Sequence, residues 1–185
     1  ICKKNVQRKQ GLLLTNNLDE LLQCQYRGYK VIQRYFQDVF VIGGRKLNLR
    51  IYVLVVCDVD GTKRAYVHRN GMCLYTNRPY SKRDVHRTET QITSLNMDPA
   101  VYDALPLDFV DLRRALFDGE AGLPPGVDFD ARVFRPLCGK IAQIMQAALP
   151  AMCLQAHLRS NVRFQLFGGD VILTDYIPPT PLRAD

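Results

Sequence analysis

The clearest alternation of apolar and polar residues in the chain runs through positions 45–57, "RKLNLRIYVLVVC". Successive side chains of an extended strand point to opposite faces. Leu47, Leu49, Ile51, Val53 and Val55 therefore share one side, and Lys46, Asn48 and Arg50 share the other. Beyond Arg50 the second side continues as Tyr52, Leu54 and Val56, the pattern of a strand covered on both faces. Enclosing a cation costs on the order of several kcal/mol unless anions or hydrogen-bond acceptors compensate it. The pattern thus predicts either something negative opposite the mouth of a core strand, or an edge strand whose polar side meets water.

The flanking segments predict short elements. Residues 1–14 read as strand, polar loop "NVQRKQG" and strand, and "NNLDELLQ" as a short helix. Asn17 is its cap, Glu20 closes a capping box, and Leu18, Leu21 and Leu22 form its apolar stripe. "YKVIQRYF" over 29–36 predicts a strand, and the paired glycines of "QDVFVIGG" a turn into 45–57. The Asp-Gly of "DVDGTK" and the Asn-Gly of "RNG" favour tight turns with positive φ, which makes the middle of the chain an antiparallel meander. Residues 79–93 are polar and aperiodic, a long connection of the kind that is usually functional or disordered. "DPAVYDALPLDFVDLRRALF" reads as helical turns interrupted by Pro106. Residues 131–158 present one long helical face that Pro150 should interrupt. Residues 162–175 read as a strand, two glycines and a second strand opening at Asp170.

Composition narrows the class. The chain has 185 residues, 47% hydrophobic and 23% charged, as a globular protein does. It has no apolar run long enough to span a bilayer, and its opening residues lack the pattern of a signal peptide. A cytoplasmic protein without membrane contact is expected. The six cysteines are widely spaced, with no C-x-x-C pair, and predict free thiols in a reducing compartment. His68, His86 and His157 show no metal-ligand spacing. A formal net charge of +7 suits a nucleotide, a nucleic acid or an acidic protein surface, and equally a solvated basic surface without a partner.

Three places could carry chemistry. Lys3 and Lys4 precede the polar loop 5–11, where an ammonium and backbone N–H groups could hold polyphosphate; a solvated lysine-rich loop is the commoner case, and no P-loop or G-x-G-x-x-G motif is present. Lys46, Asn48 and Arg50 are the second place. Asp170, after Gly168 and Gly169, could reach a cation bound to phosphates, although a carboxylate capping its own turn is commoner.

Taken in order, "ICKKNVQRKQGLLL", "VIQRYFQDVFVIGGRKLNLRIYVLVV", "AYVHRNGMCLYTNRPYS", "ITSLNMD" and "FQLFGGDVIL" resemble the tubulin–tyrosine ligase-like family of the ATP-grasp superfamily. The resemblance implies an α+β, partial ATP-grasp fold, an antiparallel sheet with flanking helices and a nucleotide cleft. A small lobe over 1–42 would carry the phosphate loop and hinge, and a larger lobe over 43–185 the meander, helices and metal-site strand. It also implies roles. Lys3 matches the family's phosphate-binding lysine, with loop 5–11 as phosphate cover. Gln33, Arg34, Tyr35 and Phe36 match the hinge against which adenine packs. Lys46 and Arg50 match the basic pair addressing phosphates and substrate carboxylate, and Asp170 the first Mg²⁺-binding carboxylate, while Asn48 between the pair can hydrogen-bond to ribose or phosphate. Two positions depart from the family pattern, Asn48 where most members have aspartate and Leu74 where many have arginine.

The implied activity is an ATP-dependent carboxylate–amine ligase that adds a free amino acid to an acidic protein acceptor such as tubulin, through an acyl-phosphate. The chain opens on Ile1 and closes on "YIPPTPLRAD" where the family continues to an "LLEVN"-like segment with further metal ligands. A fragment or shortened member is therefore expected. The alternative is a catalytically inactive nucleotide- or protein-binding module. A nucleic-acid binder has only the charge in its favour.

Overall fold

The computed structural model describes residues 1–6, 11–93, 97–123, 125–152 and 163–174, which fall into two compact units. The first comprises the described residues of 1–47, 74–105 and 172–174, and the second those of 48–73 and 106–171.

In the first unit, β1 (Cys2–Lys4) is the middle strand of an antiparallel sheet, flanked by β2 (Leu12–Leu13) and β3 (Tyr29–Ile32). Cys2 lies opposite Leu13 and Ile32, and Lys3 opposite Leu12 and Val31. Helix α1 (Leu18–Gln23) begins at the expected cap: Asn17 is extended, and its Oδ1 accepts from the N–H groups of Asp19 and Glu20 at 2.8 and 3.4 Å. The predicted leucine stripe is not a core stripe. Leu18 and Leu22 are exposed, and no residue of α1 is buried. β3 is shorter than the predicted 29–36 strand, because its ladder with β1 has three rungs and ends at Ile32.

β4 (Val41–Ile42) turns into β5 (Arg45–Cys57) through Gly43 and Gly44, whose φ angles of 55° and 72° are those a two-residue hairpin turn requires. β5 alternates as its sequence predicts, with Leu47, Leu49, Ile51, Val53 and Val55 buried. Its other face is covered only in part. Lys46 is buried, whereas Tyr52, Leu54 and Val56 are half-buried and Tyr66, opposite Leu54, is exposed.

In the second unit β6 (Lys63–Val67) pairs antiparallel with the far half of β5. The chain then departs from a meander, since β7 (Met72–Tyr75) pairs with β5 as well. Asn70–Gly71 is therefore no hairpin tip, and Gly71 does not have the predicted positive φ. It is glycine for want of room: a Cβ there would stand 2.3 Å from the Arg50 carbonyl oxygen and 2.6 Å from the Phe109 ring. The Asn70 side chain locks the junction, accepting from the N–H groups of Gly71 and Phe109 and donating to Asp108. Asp108 in turn caps α3 (Phe109–Asp118), which buries Phe109, Leu112, Ala115 and Leu116.

α4 (Arg135–Ala148) follows a π-helical turn over Asp130–Phe134 and gives way to a 3₁₀ turn containing Pro150. Its one buried residue is Ile141, so most of the predicted helical face is not core, and residues 153–158 of that prediction lie outside the described residues. β8 (Arg163–Ile172) pairs with β5 and runs unbroken through Gly168 and Gly169, where a break was expected. Gly169 takes part in close packing instead, its missing Cβ leaving room for Ile51. Architecture and pairing are α+β and antiparallel, as the sequence predicts.

Among the described residues, cysteine chemistry differs from expectation at one position. Cys2, Cys24, Cys73 and Cys138 are in the thiol form, but Cys57, buried at the end of β5, is disulfide-bonded. Among the described residues no helix is long and apolar enough to cross a membrane.

Candidate functional site

Lys46 is the decisive residue of the first unit. It is 4% exposed, and its Nζ donates to the Tyr35 hydroxyl at 3.0 Å and to the Gln91 carbonyl at 3.3 Å. It also lies 4.7 Å from the centre of the Tyr35 ring, within reach of the ring's negative face. Strand pairing holds it there, since its backbone N–H donates to Thr76 Oγ1 and its carbonyl accepts from the Thr76 N–H. Every one of these partners is neutral. Burial alone accordingly pushes the Lys46 ammonium down to about 8, and burial pushes the Tyr35 phenol up.

A pH dependence follows. The folded value near 8 lies below the ordinary lysine value of 10.5, so the charged form is the one the fold disfavours. Without ligand, the contribution of Lys46 to stability improves as pH rises from about 8 toward 10.5. An anion that binds it must lose affinity over the same interval, by up to about tenfold per pH unit. We predict that ATP titrations at pH 7, 8, 9 and 10 show this fall; a flat profile would remove Lys46 from the binding site.

The other predicted residues of this unit are less engaged. Lys3 Nζ donates to Gln33 Oε1 at 3.0 Å, joining the expected phosphate lysine to the first hinge residue. Arg34 and Phe36 are exposed, while Tyr35 is only partly so. Residues 7–10 of the expected phosphate cover lie outside the described residues. Gln91 was not singled out by sequence reasoning. It sits in the aperiodic stretch 79–93, at the end of a one-turn helix, α2 (Thr88–Gln91), and is fully buried. The length and polarity of that stretch mark it only as a long connection, and nothing in its pattern points to Gln91.

The second unit holds Asn48, Arg50 and Asp170. Arg50 donates from Nε to Asp170 Oδ1 at 2.9 Å and from Nη2 to Oδ2 at 3.0 Å, a bidentate pair joining β5 to β8. Asp170 raises the Arg50 guanidinium further above its already high value. Both side chains remain accessible, at 38% and 49%. Asn48 Oδ1 is buried and accepts no hydrogen bond from the described residues. An unpaired buried amide oxygen costs on the order of 1–3 kcal/mol, and a ligand hydroxyl or amine would satisfy it. The predicted metal position is the sparsest: among the described residues no group of three or more His, Cys, Asp or Glu side chains is placed to hold a metal ion.

The model of the tubulin–tyrosine ligase family matches residues 1–182 of the chain. The chain belongs to this family. Similar proteins include a probable tubulin polyglutamylase of Bos taurus, 22% identical over 155 residues that make up 84% of this chain and 32% of the relative. One of Caenorhabditis elegans is 24% identical, over 84% of this chain and 36% of the relative. A tubulin polyglutamylase of Mus musculus is 22% identical over 95% of this chain and 22% of the relative. This tubulin–tyrosine ligase family chain thus spans about a third or less of the length of the relatives named here. Its α+β architecture with antiparallel sheets agrees with a partial ATP-grasp fold of that family.

Proposed function

We propose that this chain is the ATP-binding core of a ligase that joins an amino acid to a protein. Family membership supports the class of reaction. The observation that carries it to this chain is Lys46, a buried cation whose described partners are all neutral. A polyphosphate is the partner its charge lacks. In this reading Lys3 and Lys46 bind phosphates, and Gln33, Arg34, Tyr35 and Phe36 form the hinge beside adenine. Asn48 Oδ1, to which no described residue donates, takes a hydrogen bond from a ribose hydroxyl. The lobes proposed for these roles are residues 1–42 and 43–185.

The reaction transfers the γ-phosphoryl of ATP to a carboxylate, releasing ADP; an amine nitrogen then attacks the acyl carbon and phosphate leaves. Arg50 would hold the substrate carboxylate. The relatives' names point to tubulin as the acceptor and polyglutamylation as the modification. An acidic acceptor suits a chain of net charge +7.

Mg²⁺, when bound, offsets charge on the phosphates. The described residues fit a shared ion and not a self-contained site. Asp170 supplies one carboxylate, and Mg²⁺ takes one or two of these with phosphate oxygens completing its shell. Both Asp170 oxygens already accept from Arg50, so substrate carboxylate and metal would divide this pair between them. We predict that Asp170→Asn loses the Mg²⁺-dependent part of ATP affinity while keeping the metal-free part. Stability should change by less than about 1 kcal/mol, since the pair is half-exposed. Equal losses with and without Mg²⁺ would take the metal role from Asp170.

The same pairing favours a second reading, an ATP-grasp-like binding module without turnover, because the pair already satisfies itself. Mg²⁺-dependent ADP release in the presence of glutamate and an acidic acceptor peptide decides between them. Saturable ATP binding with no phosphoryl transfer selects the module, and no ATP binding at all rejects both.

A further inference from the structure

We propose that Gln91 is a positioning residue: it fixes the Tyr35 hydroxyl and, with its own carbonyl, aims the Lys46 ammonium at a phosphate while leaving that charge unneutralised. The ligand in this statement rests on the reading of Lys46 as a nucleotide contact. The arrangement of side chains does not.

The geometry is a chain of neutral hydrogen bonds. Gln91 Nε2 donates to the carbonyls of Ser81 at 2.6 Å and Asp84 at 3.0 Å, so the amide is anchored by two points of the backbone. With the nitrogen fixed, Oε1 faces the Tyr35 hydroxyl at 3.0 Å, and the Gln91 carbonyl lies 3.0 Å from the same hydroxyl. The hydroxyl proton is thereby drawn toward Gln91, and the phenol oxygen is left to accept from Lys46 Nζ at 3.0 Å. The Gln91 carbonyl takes a second Lys46 hydrogen bond at 3.3 Å. An ammonium has three donors, and this arrangement uses two. Among the described residues nothing accepts from the third, which a ligand would take.

Only a primary amide meets the local requirement. The position needs two donors toward Ser81 and Asp84 and an acceptor toward Tyr35, which a carboxylate or an apolar side chain cannot combine. A carboxylate would do something worse for binding. It would pair with Lys46 and compete with phosphate for the same charge. Among the described residues, Lys46 is hydrogen-bonded to Tyr35, Thr76 and Gln91 and faces Val41 across the ladder; Tyr35 is the one titratable group of these, and Tyr80 acts on it in turn. A purely structural Gln91 would anchor residues 81–91 and have no effect on the lysine once the protein is folded.

The test reads Lys46 directly, in the whole chain labelled with ¹³C-lysine, from the pH titration of its Cε resonance without ligand, alongside calorimetry with ATP. Wild type should titrate near 8. Gln91→Glu should move the midpoint up by at least one pH unit and weaken ATP binding by about tenfold or more. Gln91→Met preserves volume without charge, and serves if the buried glutamate prevents folding. It should move the midpoint down, because the Tyr35 hydroxyl loses one of the two acceptors that draw its proton away from Lys46. A folded variant of either kind with an unmoved midpoint and unmoved ATP affinity overturns the role of Gln91 while the nucleotide reading stands. A wild-type chain that binds no ATP but shows the shifted midpoint overturns the nucleotide reading while the positioning role stands.

Discussion

Replacing Lys46 by methionine should weaken ATP binding roughly 100-fold and leave the ligand-free protein at least as stable as before. The two effects have one cause. Removing one partner of a buried, hydrogen-bonded charge pair costs about 2–5 kcal/mol of binding, and 100-fold corresponds to about 2.7 kcal/mol. Without ligand the same charge is a burden, since its enclosure is not offset by any carboxylate among its described partners. An apolar side chain of similar volume in place of a buried ion is often neutral or stabilising. Tyr35 and Gln91 keep their bonds to each other, so the substitution orphans neither. Calorimetric ATP titration and urea unfolding of both proteins check the pair of signs. A variant that binds ATP as well as wild type, or that unfolds markedly more easily, contradicts the interpretation of the site.

Gly71→Ala should be the most damaging glycine-to-alanine change for stability among the described residues. Its Cβ would meet the Arg50 carbonyl oxygen at 2.3 Å and the Phe109 ring at 2.6 Å. The first of these is backbone of β5 and the second is a fully buried ring at the start of α3, so neither can swing aside. Overpacking of this kind costs about 3 kcal/mol or more, which lowers Tm by roughly 6–12 °C for a chain of this size. Thermal unfolding measures it, and a change below 2 °C would show that β5 gives way easily at Arg50. Because the displaced carbonyl belongs to Arg50, the variant should also disturb the bidentate pair with Asp170.

Much of the fold is written in local pattern. The alternation of β5, the Asn17 cap, the Gly43–Gly44 turn and the break at Pro106 depend on interactions within a few residues, where side-chain period and backbone conformation are dictated by residue type. The failures share a cause as well. The Asn70–Gly71 and Gly168–Gly169 dipeptides look like turns, and both glycines that matter there are instead explained by a distant neighbour, Arg50 and Phe109 for Gly71 and Ile51 for Gly169. Cys57 follows the same rule, since its disulfide depends on spatial proximity that spacing along the chain does not reveal.

The candidate site divides in the same way. Lys46, Asn48 and Arg50 were marked by the sequence itself, because cations on an otherwise apolar strand break the period that hydrophobic burial imposes. What surrounds them was not. That Asp170 neutralises Arg50 across 120 positions, and that Lys46 is met by a neutral tyrosine and glutamine instead of a carboxylate, are outcomes of chain return. A single sequence determines which side chains lie on one face of a strand; only the tertiary structure decides which groups come to face them. Electrostatic energy falls off over a few ångströms of space and takes no account of separation along the chain.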